Sequence, residues 1–295
     1  MEPQINIYKN TGLKNYQTTL FDLYEFNSKS EIILTPKEKQ KRDKKQLINH
    51  YFHLNNRRYI GNKYSLINWI FSIINSECKN VDSFADIFAG TGVVSAVATH
   101  YFKNVLVNDF LYSNYTIYKA FFGNENWNKK KVENIIKNYN DIDINNLKDN
   151  YFSINFGGKY FSRDSSKKIG FIREDIENNK VNLTEKEYYI LIASLIYSID
   201  KVANTVGHYE TYFKKDDLED GFYLKPIKPI ETNNVTIYRE DSNKLAKNIL
   251  ADVVYIDPPY NSRQYSRFYH VLETLTKWDK PKLYGTALKP KEENM

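Results

Sequence analysis

Val253-Val254-Tyr255-Ile256-Asp257-Pro258-Pro259-Tyr260 is an apolar run that stops at an acid, two prolines and an aromatic ring. β-branched and aromatic residues favour an extended, buried backbone. Proline fixes φ and carries no N–H, so it cannot continue a strand in the interior of a sheet. A strand is therefore expected over Ala251–Ile256, with Asp257 just beyond its end. In an open parallel sheet, ligands collect at the carboxyl ends of the strands. Asp257, Pro258, Pro259 and Tyr260 stand where a site belongs. The plain alternative is a strand followed by an ordinary proline turn.

Earlier in the chain the same rhythm appears. Leu66, Ile67, Ile70, Ile73 and Ile74 recur at helical spacing, and Val81–Phe88 reads as a short strand ending in Ala89-Gly90-Thr91-Gly92. Val93–Tyr101 then reads as a helix and Val105–Val107 as a second strand. Strand, glycine turn, helix, strand is the opening of a doubly wound α/β sheet. Gly90 and Gly92 would let backbone approach a ligand closely. A lone G-x-G is weak evidence, and the third glycine of a dinucleotide fingerprint is missing. Asp109, after the second strand, suits a ribose diol, or is simply a surface acid. Further on, Tyr188–Ser198 and Phe268–Leu275 read as helices and Val235–Tyr238 as a strand, while 120–180 is rich in Asn and Lys with little periodicity.

The chain has 295 residues and a formal charge of +6, which suits a polyanionic partner without demanding one. Cys78 is the single cysteine, so an intrachain disulfide and thiolate metal clusters are excluded. The histidines show no metal-ligand spacing, and no metal is expected. No apolar run is long enough to span a membrane and no apolar signal core opens the chain, so a cytoplasmic protein is expected. Lys37–Lys45 (KEKQKRDKK) is either a solvated basic face or an arm that contacts phosphates.

The Asp257 carboxylate and the Pro258 carbonyl would form a rigid pair of acceptors. Such a pair can grip both N–H bonds of a planar ring amine, whose lone pair is otherwise delocalised, and favour a more tetrahedral nitrogen that can attack an electrophilic methyl group. Tyr260 would stack on the ring. Asp257 need not remove a proton early, because the nitrogen becomes acidic only once methylated.

Together these motifs resemble the DNA adenine methylase family in its alpha-type order. Arg57-Arg58-Tyr59-Ile60-Gly61-Asn62-Lys63 resembles its first motif, Asp86 through Gly92 its cofactor loop, Asp109 its ribose acid and Asp257–Tyr260 its catalytic loop. Ala203–Tyr209 and Asn261–Tyr265 are similar to segments of one branch of the family. The likeness covers roughly residues 55–290, loosely over 120–185. It implies S-adenosyl-L-methionine as cofactor, a Rossmann-like methyltransferase sheet, and N6 methylation of a flipped-out adenine in double-stranded DNA, in partnership with a restriction endonuclease. The implied cofactor-binding residues are Tyr59, Lys63, Asp86, Phe88, Gly90, Gly92, Asp109, Asp241 and Asp257. Asp241 would contact the cofactor adenine, or else cap a helix starting at Ser242.

Arg263 and Arg267, beside the catalytic loop, are expected on DNA, and Ser262, Gln264 and Tyr265 along the base pocket. Four regions are expected: a polar extension (1–55), a cofactor-binding part (56–119), an inserted target-recognition region (120–235) and a catalytic part (236–295). The insert holds Lys129–Lys131, Lys159, Arg163, Lys167, Lys168 and Arg173, which suit phosphate and base-edge contacts, or line a solvated polar surface. A full sheet of this kind needs on the order of 60 residues after the catalytic loop. The sequence-based expectation is thus a C-terminally truncated sheet, open to a complementing C-terminal fragment. The competing readings are an inactive fragment that binds DNA or a partner subunit, and a methyltransferase of protein amides or RNA bases, which would often carry Asn in place of Asp257.

Overall fold

The structure is a computed structural model that describes residues 51–215, 217–218, 220–260 and 264–291. The basic run Lys37–Lys45, Ser262 and Arg263 fall outside the described residues.

Four strands, β1 (Ser83–Asp86), β2 (Asn104–Asn108), β3 (Val235–Tyr238) and β4 (Val253–Tyr255), pair in parallel in the order β3-β2-β1-β4. Helix α1 (Ile67–Glu77) precedes β1, and α2 (Val93–Ala98) joins β1 to β2. Between β2 and β3 lie α3 (Tyr112–Phe122), α4 (Lys129–Asn140), α5 (Tyr151–Phe156), α6 (Arg163–Asn178) and α7 (Glu185–Val202). After β3 come α8 (Ser242–Leu245), β4, α9 (Tyr265–Phe268) and α10 (His270–Lys277), then a small antiparallel pair, β5 (Leu283–Tyr284) and β6 (Lys289–Pro290). This is a mixed α/β protein with a parallel central sheet, as the strand and glycine pattern implies.

Side chains alternate across the sheet because successive Cβ atoms point to opposite faces. Phe84, Val105, Val107, Val253 and Tyr255 enter the large core shared with the helices. Ala85 and Ile87 join a smaller cluster with Leu245 on the other face. The chain runs outward from β1 to β2 to β3, then crosses back to lay β4 on the free side of β1. The reversal brings the carboxyl ends of β1 and β4 together, with Asp86 opposite Tyr255. It is the switch point at which open α/β sheets hold their ligands.

Two polar groups pin this frame. Asn108 at the end of β2 is fully buried; its amide nitrogen donates to the carbonyls of Ile87 (3.0 Å) and Glu240 (3.2 Å), and its oxygen accepts from the Glu240 N–H (2.9 Å). At the opposite end of the sheet Asp252 Oδ2 accepts from the Asp82 N–H (2.9 Å), the Ser83 N–H (2.9 Å) and the Ser83 hydroxyl (2.7 Å), tying the start of β4 to the start of β1.

The Asn- and Lys-rich stretch is more regular than its composition suggests. Asn128, Asn150, Ser162 and Thr184 each accept backbone N–H bonds as the N-caps of α4, α5, α6 and α7. Three of its basic residues are engaged within the fold, and for two of them, Arg173 and Lys168, burial corrects the expectation of a surface contact. Arg173 is fully buried, donating from Nε to the Leu275 carbonyl (2.7 Å) and pairing with Glu177 at 2.9 Å. Buried Lys168 donates to the Asn140 carbonyl (2.8 Å), and Lys131 pairs with Glu187 at 2.5 Å. Lys129, Lys130 and Arg163 are exposed.

The three donors hold the Asp252 carboxyl below its ordinary value of 3.8. A carboxylate depressed in the folded state contributes stability above the unfolded value and loses it as pH falls through the folded one. Asp252→Ala is expected to cost about 1–2 kcal/mol at neutral pH, moderated by solvent at this partly exposed position. Its deficit relative to the parent should shrink below pH 3.8, as read by urea unfolding at pH 7 and in acid.

Candidate active site at the sheet switch point

A cavity of about 300 Å³ opens at the carboxyl ends of β1 and β4. Eleven of the residues singled out in the sequence line it: Tyr59, Lys63, Asp86, Phe88, Gly90, Asp109, Asp241, Asp257, Pro258, Pro259 and Tyr260. Gln264 and Tyr265 line it as well. Gly92 does not; it sits behind the loop, where a Cβ would stand 3.0 Å from the Tyr118 ring. Arg267 lies across α9 from the cavity, in a second groove with Glu210, Tyr284 and Lys289.

The β1 loop is shaped by backbone that only glycine adopts easily. Gly90 has φ +54° and Gly92 φ +78°. A Cβ on Gly90 would approach the Tyr59 ring to 3.1 Å, so Tyr59 packs against bare backbone. Asp109 braces the loop from the end of β2: Oδ2 accepts from the Gly90 N–H (3.0 Å) and Oδ1 from the Leu111 N–H (2.9 Å).

Burial pushes the Asp86 carboxyl up to about 7, opposed by the Ser95 hydroxyl that donates to Oδ2 at 2.8 Å and reinforced by the charges of Asp257 and Asp109. Burial likewise raises Asp109 to about 6 against its two N–H donors and an Asn114 side-chain hydrogen bond. The buried Asp86 Oδ1 has no hydrogen-bond partner among the described residues. Perturbed carboxyls gathered in a cleft are a mark of a functional site.

Lys63 and the Asp257–Tyr260 turn form a closed network. Lys63 Nζ pairs with Asp257 Oδ2 at 2.5 Å and donates to the Gly61 carbonyl at 2.9 Å and to the Tyr260 hydroxyl. The Tyr260 hydroxyl donates in turn to Asp257 Oδ1, and Lys63 Nζ lies 4.7 Å from the Tyr260 ring centroid. Both carboxylate oxygens of Asp257 are therefore engaged by side chains of this chain. Asp241 Oδ1 accepts from the Asn243 and Lys244 N–H groups, both at 3.0 Å, so it caps α8 as well as facing the cavity rim.

An apolar cleft with acids at the ends of three strands, a glycine loop under an aromatic ring and a stiff Asp-Pro-Pro-Tyr turn is the arrangement that the sequence likeness implies. Residues 59–294 match the family described as D12 class N6 adenine-specific DNA methyltransferase. The chain belongs to that family. Among its relatives, the modification methylase LlaI of Lactococcus lactis subsp. lactis is 33% identical over 251 residues, 77% of this chain and 39% of the relative. The type II methyltransferase M.NlaIII of Neisseria lactamica is 34% identical over 231 residues, 75% of this chain and 69% of the relative. The type II methyltransferase M.FokI of Planomicrobium okeanokoites is 32% identical over 263 residues, 79% of this chain and 39% of the relative. The chain thus spans well under half the length of LlaI and M.FokI. Among the described residues no cluster of His, Cys, Asp or Glu could hold a metal ion, and no helix is long and apolar enough to cross a membrane.

Sequence reading missed Phe110 and Asn243, which line the same cavity. Phe110 is a half-exposed aromatic directly after the β2 acid. The rule that ligands sit at strand ends could have found it.

Because the folded state raises Asp86, it retains a proton that the unfolded chain loses above pH 3.8. Stability then falls as pH rises from that value to about 7 and is flat beyond. Asp86→Asn keeps an acceptor for Ser95 without this penalty. Its unfolding free energy from urea titration, relative to the parent, should rise between pH 4 and pH 7 by up to on the order of a few kcal/mol. A difference independent of pH would mean that Asp86 titrates normally.

Proposed function

We propose that this chain transfers a methyl group from S-adenosyl-L-methionine to the N6 amine of an adenine flipped out of double-stranded DNA, as the modification enzyme of a restriction system. The observation that carries the reading is that Asp257 and Pro258, at the end of β4, line the same cavity as Tyr59, Asp86 and Asp109. The names of the relatives, modification methylases and type II methyltransferases, support it.

The residues fit the cofactor. Buried Asp86 Oδ1 lacks a partner among the described residues and can accept from a ligand donor. Each Asp109 oxygen takes one backbone N–H and keeps lone pairs for a ribose diol. Tyr59, packed on the Gly90 loop, and Phe88 offer apolar surface, and Asp241 and Asn243 offer polar groups at the rim. When bound, the cofactor supplies an electrophilic methyl group on a sulfonium.

The chain's own groups do the rest by position. An adenine stacked in the duplex cannot reach the Asp257 loop, so it is extruded at a cost of a few kcal/mol, offset by contacts to phosphates. Its amine replaces the Tyr260 hydroxyl on Asp257 Oδ1 and bonds the Pro258 carbonyl. Tyr260, released, stacks on the base. Lys63 stays on Asp257 Oδ2 and keeps the carboxylate charged and aimed. The acidic proton of the methylated nitrogen has Asp257 as its nearest acceptor.

Tritium transfer from labelled cofactor to plasmid DNA, followed by nucleoside analysis, tests the reading. N6-methyl-2′-deoxyadenosine from the DNA is expected. Label confined to protein or RNA, or DNA binding without transfer, would sink it. Asp257→Ala should lose at least about 10²-fold in kcat, the scale for removing one preorganised polar group. Tyr260→Phe, which keeps the ring and drops the hydroxyl, should stay within about tenfold of the parent, and Tyr260→Ala should lose more.

A further inference from the structure

Behind the cavity lies a buried cation that the family match, beginning at residue 59, does not include. Arg57 is 3% exposed, and Asp200, 4% exposed, supplies the buried counter-charge. The Arg57 guanidinium donates from Nη1 to Oδ1 of Asn114. Its central carbon lies 5.0 Å from the Tyr59 ring centroid and 5.8 Å from that of Tyr269. Those two rings stack on each other at 4.7 Å with 7° between their planes. The charge is thus met by one amide, one distant carboxylate and two ring faces.

The chemistry of Asn114 makes this arrangement directional. A carboxamide has an accepting oxygen and a donating nitrogen, and arginine can only donate. Arg57 therefore forces the Asn114 oxygen toward itself and turns the amide nitrogen the other way. There Nδ2 donates to the Tyr59 hydroxyl at 3.2 Å, and Asn114 also hydrogen-bonds the Asp109 carboxylate. Tyr59 and Asp109 are the two groups that brace the Gly90 loop, one by its ring and one by its carboxylate. Without a donor at position 57 the Asn114 oxygen loses its partner, and the amide is held from its nitrogen side alone. On the far side Asp200 accepts from the Tyr209 hydroxyl at 2.8 Å, so the cation is itself held from behind.

We propose that Arg57 is a positioning residue for the cofactor pocket, acting through the orientation of the Asn114 amide on Tyr59 and Asp109. The inference rests on the reading of the cavity as a site for S-adenosylmethionine.

Calorimetric titration with S-adenosylhomocysteine tests both, separably. If the parent chain does not bind this ligand, the reading of the cavity fails. If it binds, the paired change Arg57→Met with Asp200→Asn, which removes both buried charges at once, is expected to weaken binding about tenfold or more, within the range for coupled neighbours. Asp200→Asn alone should stay within about threefold, and Arg57→Lys, which still donates to Asn114 but loses the planar contact with the rings, should lose less than the paired change. Introduced into an Asn114→Ala background, the paired change should cost less than about twofold further, because its path is already cut. If the paired variant fails to melt cooperatively, Asn114→Leu alone carries the test and should show the same loss. Binding by the folded paired variant within twofold of the parent overturns the proposal. So does a penalty that persists undiminished in the Asn114→Ala background, and so does full affinity in Asn114→Leu.

Discussion

The parallel pairing of β4 against β1 is the constraint on which the rest depends. It sets Asp86 opposite Tyr255 and carries the Asp-Pro-Pro-Tyr turn out beside the glycine loop. Had β4 continued the sheet beyond β3, Asp257 would lie three strand positions from the acid of β1 and two from that of β2, and the cavity would have no second wall. Sheet order, more than any single side chain, converts three separated sequence motifs into one cleft. The register is protected at the far end by the Asp252–Ser83 bonds, because a slip of one residue would turn Val253 and Tyr255 out of the core.

The parts of the fold that were legible in the sequence share a physical cause. β1, β2, β3 and β4 are short apolar runs punctuated by glycine, proline or acid, and burial of both faces leaves a continuous signal. The site followed, since Asp86, Asp109 and Asp257 each terminate such a run. Asp241 kept two readings open, and the structure gives it a capping role at the cavity rim.

The region between β2 and β3 resisted reading because its apolar stripes are narrow. In α4 the stripe is Val132, Ile136 and Tyr139, and in α6 Ile169, Ile172 and Ile176, each diluted by Asn and Lys. The spacing is helical, but the polar background hides it. The roles of Arg173 and Lys168 were out of reach for another reason. Both donate to backbone carbonyls distant in sequence, Arg173 to that of Leu275 and Lys168 to that of Asn140. Arg57 and Asn114 were equally hidden, since no local pattern joins residues that meet only once α3 packs beneath the glycine loop.

Asn108 gives the pocket floor a property that its acid rim lacks. The amide that ties the ends of β1, β2 and β3 carries no ionisable proton, and it uses donor and acceptor together. Changes in acidity that alter the charge on Asp86 or Asp109 leave this joint chemically untouched. The acids around the cleft can therefore change their charge while the joint that holds the ends of β1, β2 and β3 together keeps its bonds.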